Sequence, residues 1–211
     1  MDGERRRELL SDSRLYLVTD GDVDVVQAAV AGGVDLVQLR MKDVHDGAVM
    51  RAAVAFREVC PLLIVNDRPD LAVACDADGV HVGQDDMSAE EARSIVGPDL
   101  IVGASTHSEE QIAAANRSTA DYFAVGPVHE TPTKPGRPAV GLELVRHAAA
   151  TAAKPWFAIG GIDRTNVGDV LAAGARRIVV VRAIRDAADP RAAAAALRAA
   201  LDPERVGGAV R

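Results

Sequence analysis

Gln38, Arg40 and Lys42 stand at alternating positions in the segment QLRMKD. The run they end, DLVQLR, is apolar, and side chains on a strand alternate between its two faces. The three therefore share one face, which carries an amide and two cations. Such a set is costly in a buried sheet unless something negative meets it. Arg40 can fork onto a phosphate, while Lys42 and the more distant Lys134 can act as point charges. Gln38 and Asn66 can hydrogen-bond a polar ring or phosphate oxygens. The plainer alternative is a rim salt bridge from Arg40 or Lys42 to an acid such as Asp43, which would answer one cation but not the set.

A carboxylate pair follows. Asp67 closes PLLIVND, and Asp86 follows GVHVG in GQDDM, with Asp85 beside it. If the two apolar runs are neighbouring strands, the carboxylates end close together. Two carboxylates beside a phosphate cradle suit Mg2+, a hard cation that prefers oxygen ligands and bridges phosphates. A helix cap and a loop salt bridge would use the same residues, and so would a general acid/base pair, which would not require the basic cluster. AIGGI (158–162) offers backbone N–H groups that a phosphate can approach closely, although a lone Gly-Gly is more often a turn. His81 sits between Val80 and Val82 and reads as a satisfied interior histidine. His45, His107, His129 and His147 share no ligand spacing. The chain contains no GxGxxG, no Walker motif and no evident Ser-His-Asp set.

These residues need elements to hold them. The chain repeats one unit: a Val/Ile/Leu-rich run, a polar turn, an Ala-rich helix. Strands are expected at 14–20, 35–40, 61–67, 79–83, 100–106, 122–128, 156–161 and 177–183. Their continuous apolar character is that of parallel strands buried on both faces. Helices are expected between them, for example at 25–33 and 108–116, with Ser88 capping another and Gly32–Gly33, Gly97–Pro98 and Gly174 as stops. Eight such units predict an α/β fold, a single-domain (β/α)8 TIM barrel over residues 1–211; a doubly wound open sheet is the competing architecture. Residues 1–13 read as a helical extension whose basic triplet is solvated, and 202–211 as a flexible tail. The stretch 129–141, HETPTKPGRPAVG, is too rich in Pro, Thr and Gly for a core helix and reads as a functional loop or lid. In a barrel all the strand carboxyl ends meet at one rim, which gathers the polar residues above.

Composition limits the partners. Of 211 residues 48% are apolar and only 3% aromatic, so Ala and Val fill much of the core. The net charge of -7 argues against general binding to nucleic acid or an anionic membrane. Cys60 and Cys75 lie among apolar residues and read as buried free thiols, which fits a reducing cytoplasm. The N-terminal residues lack a signal-peptide core, and no apolar run reaches transmembrane length. Oligomeric state is left open, a homo-oligomer included.

QLRMKD (38–43), NDR (66–68), GVHVGQDDM (79–87), GAST (103–106), GPVHETPTK (126–134) and AIGGI (158–162), in that order, resemble the thiamine phosphate synthase family. The resemblance implies a (β/α)8 barrel and a transferase. It would join a hydroxymethylpyrimidine diphosphate to a thiazole phosphate, or its carboxylated form, releasing pyrophosphate. It implies a pyrimidine diphosphate site of Gln38, Leu39, Arg40, Met41, Lys42, Asn66, Ser105 and Lys134. Of these, Arg40, Lys42, Lys134 and Ser105 would be catalytic. Asp67 and Asp86 would hold Mg2+, and Thr131, Thr133, Gly161, Val181 and Arg182 would take the thiazole phosphate. Met41 stands where the family commonly has Glu, and Arg182 where many relatives carry Ser. A thiazole tautomerase, a sugar-phosphate aldolase or isomerase, and a non-catalytic sensor of thiamine precursors are the rival readings.

Overall fold

A computed structural model of the chain describes residues 1–131 and 138–202. Its strands are β1 (Leu15–Thr19), β2 (Leu36–Leu39), β3 (Leu63–Asn66), β4 (Gly79–Val82), β5 (Ile101–Thr106), β6 (Tyr122–Val125), β7 (Trp156–Ile159) and β8 (Ile178–Val180). The helices are α1 (Gly3–Asp12), α2 (Val23–Ala31), α3 (Asp46–Arg57), α4 (Pro69–Ala74), α5 (Ala89–Val96), α6 (Glu109–Arg117), α7 (Gly141–Thr151), α8 (Val167–Ala172), α9 (Arg182–Arg185) and α10 (Pro190–Leu201). Each strand pairs in parallel with the next, and β8 returns to β1, so the sheet closes. Closure rules out the open doubly wound sheet.

All eight expected strands are present, and each is shorter than its apolar run. The run 122–128 stops as a strand at Val125, because Pro127 has no N–H for a ladder. The run 177–183 yields only Ile178–Val180, and Arg182 opens α9 instead of ending a strand. α2 begins earlier than the Ala pattern suggested, because the Asp22 carboxylate accepts from the Asp24 and Val25 N–H groups. Ser88 caps α5 through a full capping box with Glu91.

Alternation along the strands sorts the apolar residues into two cores. Leu15, Leu17, Val37, Leu39, Val65 and Phe123 face the helical shell. Tyr16, Val18, Leu36, Ile64, Ile101, Tyr122, Phe157 and Val179 fill the barrel itself, with Leu10 of α1 packed among them at the foot.

The foot is tied by a repeated device. Asp35, Asp78 and Asp121 each stand one residue before an even-numbered strand and accept backbone N–H groups where the preceding strand begins. Asp35 takes those of Arg14 and Leu15, Asp78 that of Leu63, and Asp121 that of Val102. Each carboxylate also meets an arginine: Arg198 for Asp35, Arg6 for Asp78 at 3.0 Å, and both Arg7 and Arg93 for Asp121 at 2.8 and 2.5 Å. The expected solvation of the basic triplet is thus wrong for Arg6, which is only 6% exposed. Arg6 and Arg7 dock α1 across the barrel bottom. Cys75 is buried and Cys60 half-buried, and both are free thiols; burial pushes Cys60 up to about 12. No described helix is long and apolar enough to cross a membrane. Of the predicted tail, 203–211 lie outside the described residues.

Candidate active site at the carboxyl end of the barrel

A cavity of about 390 Å³ opens where the strands end. Gln38, Arg40 and Lys42, from β2 and the turn after it, all line it, as the alternation required. So do Asn66, Asp67, Asp86, Ser105, Thr131, Gly161, Val181 and Arg182. Leu39 and Met41 do not: Leu39 is buried in the outer core and Met41 packs against it. The odd positions of this strand face the helices, so any contact these two residues make with a diphosphate would be through the backbone. Thr133 and Lys134 lie outside the described residues.

The cationic wall is local. Arg40 is half-buried, and its guanidinium makes no side-chain hydrogen bond or ion pair among the described residues. Lys42 pairs with Asp67 (Nζ to Oδ2, 3.3 Å), not with Asp43. Asn66 Nδ2 donates to the same carboxylate oxygen at 2.5 Å. Asp67 lies in the left-handed region (φ 60), and its N–H donates to His81 O at 2.8 Å. A carboxylate residue tolerates that conformation better than most, and its strain falls at the cavity edge. Asp86 folds back so that Oδ2 accepts from Gly83 N–H at 3.2 Å. A Cβ on Gly83 would come within 2.5 Å of that oxygen, so a larger residue there would push the Asp86 carboxylate aside.

The floor is a line of buried polar groups. Gln38 Nε2 donates to Tyr16 Oη at 2.6 Å. The Tyr16 and Tyr122 hydroxyls share a hydrogen bond of 3.0 Å. Tyr122 Oη meets His81 Nδ1 at 3.0 Å, and His81 Nε2 meets Ser105 Oγ at 3.0 Å. Burial pushes both phenols above their usual range, so each keeps its proton. His81 is therefore the hydrogen-bonded interior histidine expected of its place between two valines. Gly103 makes room for this line, because a Cβ there would overlap the Tyr122 ring. Gln84 Nε2 donates to the Ser105 carbonyl at 2.5 Å and steadies the end of β5.

The far wall joins two loops. Val128 N–H donates to Ile159 O at 2.8 Å and His129 N–H to Gly160 O at 3.1 Å. Gly160 and Gly161 have φ of 109 and 62. A Cβ on Gly161 would lie 2.8 Å from His129 Cβ, so the close approach of the two loops favours glycine as well as the backbone angle. Asp163, held below the usual carboxylate range by the Thr165 hydroxyl and N–H, also faces the cavity. Tyr16, Tyr122 and Asp163 were not singled out from sequence, and Gln84 only as one of the polar residues at the strand ends. A tyrosine inside an apolar strand is the one signal that could have flagged the first two, since its hydroxyl needs a partner.

A closed parallel barrel with cations, carboxylates and backbone-lined loops around one mouth defines an anion-binding (β/α)8 barrel protein. Comparison with known proteins narrows this. A family model described as thiamine monophosphate synthase matches residues 12–184, and the chain belongs to that family. It is 53% identical over 204 residues to a thiamine-phosphate synthase of Acidothermus cellulolyticus, covering 91% of this chain and 96% of the relative. A thiamine-phosphate synthase of Streptomyces avermitilis is 52% identical over 200 residues, covering 89% and 93%. Among solved structures, a thiamine phosphate pyrophosphorylase of Pyrococcus furiosus superposes with a TM-score of 0.84 at 35% identity, covering 97% of this chain and all of that one.

Proposed function

We propose that this chain is a thiamine phosphate synthase that transfers a pyrimidinylmethyl group from its diphosphate to a thiazole phosphate. The observation that carries the reading is the Arg40 guanidinium, set in the cavity wall with no acidic partner among the described residues, beside Lys42, Asp67 and Asp86. A cation placed so in a chain of net charge -7 calls for an anionic ligand.

Arg40 and Lys42 bind the diphosphate, and Lys134 is assigned to the same task. Gln38, Asn66 and Ser105 orient the pyrimidine end. The bond between the pyrimidine methylene carbon and the diphosphate oxygen breaks, and its electron pair leaves with the diphosphate. The thiazole nitrogen then forms the new bond with its own lone pair. That nitrogen carries no proton to remove, so no protein base is required. The protein's work is to stabilise the departing charge and hold two rings in line. Thr131, Thr133, Gly161, Val181 and Arg182 hold the thiazole phosphate. Leu39 and Met41 contribute at most their backbone.

Asp67 and Asp86 fit a magnesium ion. Two carboxylates lining one cavity are what that ion takes from a protein when substrate phosphates and water complete its shell. No group of three or more His, Cys, Asp or Glu residues among the described residues forms a cage that would bind a metal alone. When bound, the ion neutralises phosphate oxygens as charge develops on the leaving group. The deciding experiment is pyrophosphate release with both substrates, with and without Mg2+, and the product identified by mass. Release of pyrophosphate together with thiamine phosphate supports the reading; no release with both substrates and metal present rejects it.

A further inference from the structure

The line Gln38–Tyr16–Tyr122–His81–Ser105 has a direction. Each phenol has one proton to give. In the arrangement in which Tyr16 Oη receives the Gln38 amide hydrogen and every group is paired along the line, the Tyr16 proton goes to Tyr122. Tyr122 must then donate to His81 Nδ1, which leaves the imidazole proton on Nε2, facing Ser105 Oγ. Ser105 accepts there and has its own hydrogen to turn toward the cavity, while Gln38 presents its amide oxygen. Turning the Gln38 amide over would reverse every link and exchange the two ends. In a line paired throughout, the two ends are linked: where one accepts along it, the other donates.

Gln38, Tyr16, His81 and Ser105 all line the cavity, but Tyr122 does not. It is 0% exposed, held edge-on by Tyr16 and Phe157 at 6.1 and 5.6 Å between ring centroids. Its ring is fixed by packing, and its hydroxyl joins the Gln38–Tyr16 half of the polar floor to the His81–Ser105 half. We propose that Tyr122 is a positioning residue: through Tyr16 and His81 it locks Gln38 and Ser105 into opposite hydrogen-bonding roles, so the cavity selects a heteroaromatic ring with one donor and one acceptor in a fixed order. Resting on the function above, this selects a 4-aminopyrimidine against its 4-oxo counterpart, whose donor and acceptor are exchanged.

Tyr122→Phe keeps the ring and removes the link. The full-length chain is titrated calorimetrically, with Mg2+ and without thiazole, against the 4-amino and the 4-oxo hydroxymethylpyrimidine diphosphates. Wild type favours the amino compound, and Tyr122→Phe lowers that affinity ratio about tenfold, the effect of one lost hydrogen bond. In parallel, 15N spectra show His81 as a single neutral tautomer, protonated at Nε2, in wild type and as a mixture in the variant. Equal loss of affinity for both compounds would mark Tyr122 as merely structural and overturn the proposal, as would a tautomer mixture in wild type. If wild type binds neither compound, the functional reading falls and the His81 spectra alone decide the relay. Should Tyr122→Phe not fold, Tyr16→Phe cuts the same line one link earlier and is expected to lower the ratio likewise; an unchanged ratio there also overturns the proposal.

Discussion

Arg40 and Asp67 carry different parts of the proposed chemistry, and single substitutions separate them. Arg40→Ala removes a guanidinium with no ion-pair partner among the described residues, so folding has little to lose. It is expected to lower kcat/KM roughly 100-fold with an unchanged melting temperature, because charge-assisted forks onto phosphate are strong. Arg40→Lys should recover only part of this, since a point charge does not replace a fork. Asp67→Ala is expected to lower turnover and flatten the Mg2+ titration; unchanged activity with the same saturable Mg2+ dependence would reject its metal role. Much of this site was legible because a strand's two-residue period is strict: Gln38, Arg40 and Lys42 had to face one way. The same rule turns the side chains of Leu39 and Met41 toward the helices. Tyr122 was not legible as part of the floor, because its partners come from β1 and β4, and only barrel closure brings those strands across to it.

At the level of elements, the aspartates at the foot make a separate prediction. Asp121→Ala would strip Arg7 and Arg93 of their shared carboxylate and leave the Val102 N–H without its acceptor. Breaking such a part-buried cluster is expected to destabilise the barrel by about 3 kcal/mol. Urea unfolding should show a lower midpoint, with KM for both substrates unchanged in the folded fraction. Strand positions could be read from apolar runs because buried parallel strands are apolar throughout. Their ends could not. Val181 and Ala183 are as apolar as a strand requires, yet the chain turns into α9 at Arg182. Apolar character reports burial, while the end of a strand is set by where its neighbours stop offering hydrogen bonds.

For the whole molecule, titration of buried groups sets the alkaline limit. Burial raises the Cys60 thiol from 9.0 to about 12 and lifts the Tyr16 and Tyr122 phenols in the same direction. The folded chain therefore holds protons that the unfolded chain has already lost. Stability from these groups is fully present below the unfolded values and falls as pH rises from 9.0 towards about 12. Melting temperatures measured across that window should decline, and Cys60→Ala should soften the decline. The barrel also divides its labour between ends: ion-paired aspartates and α1 close one, and the cavity opens at the other. A bead or fusion partner attached ahead of α1 would thus grip the molecule by its base. Immobilised that way, the protein would keep its mouth turned to solution, and both ring substrates would still reach it.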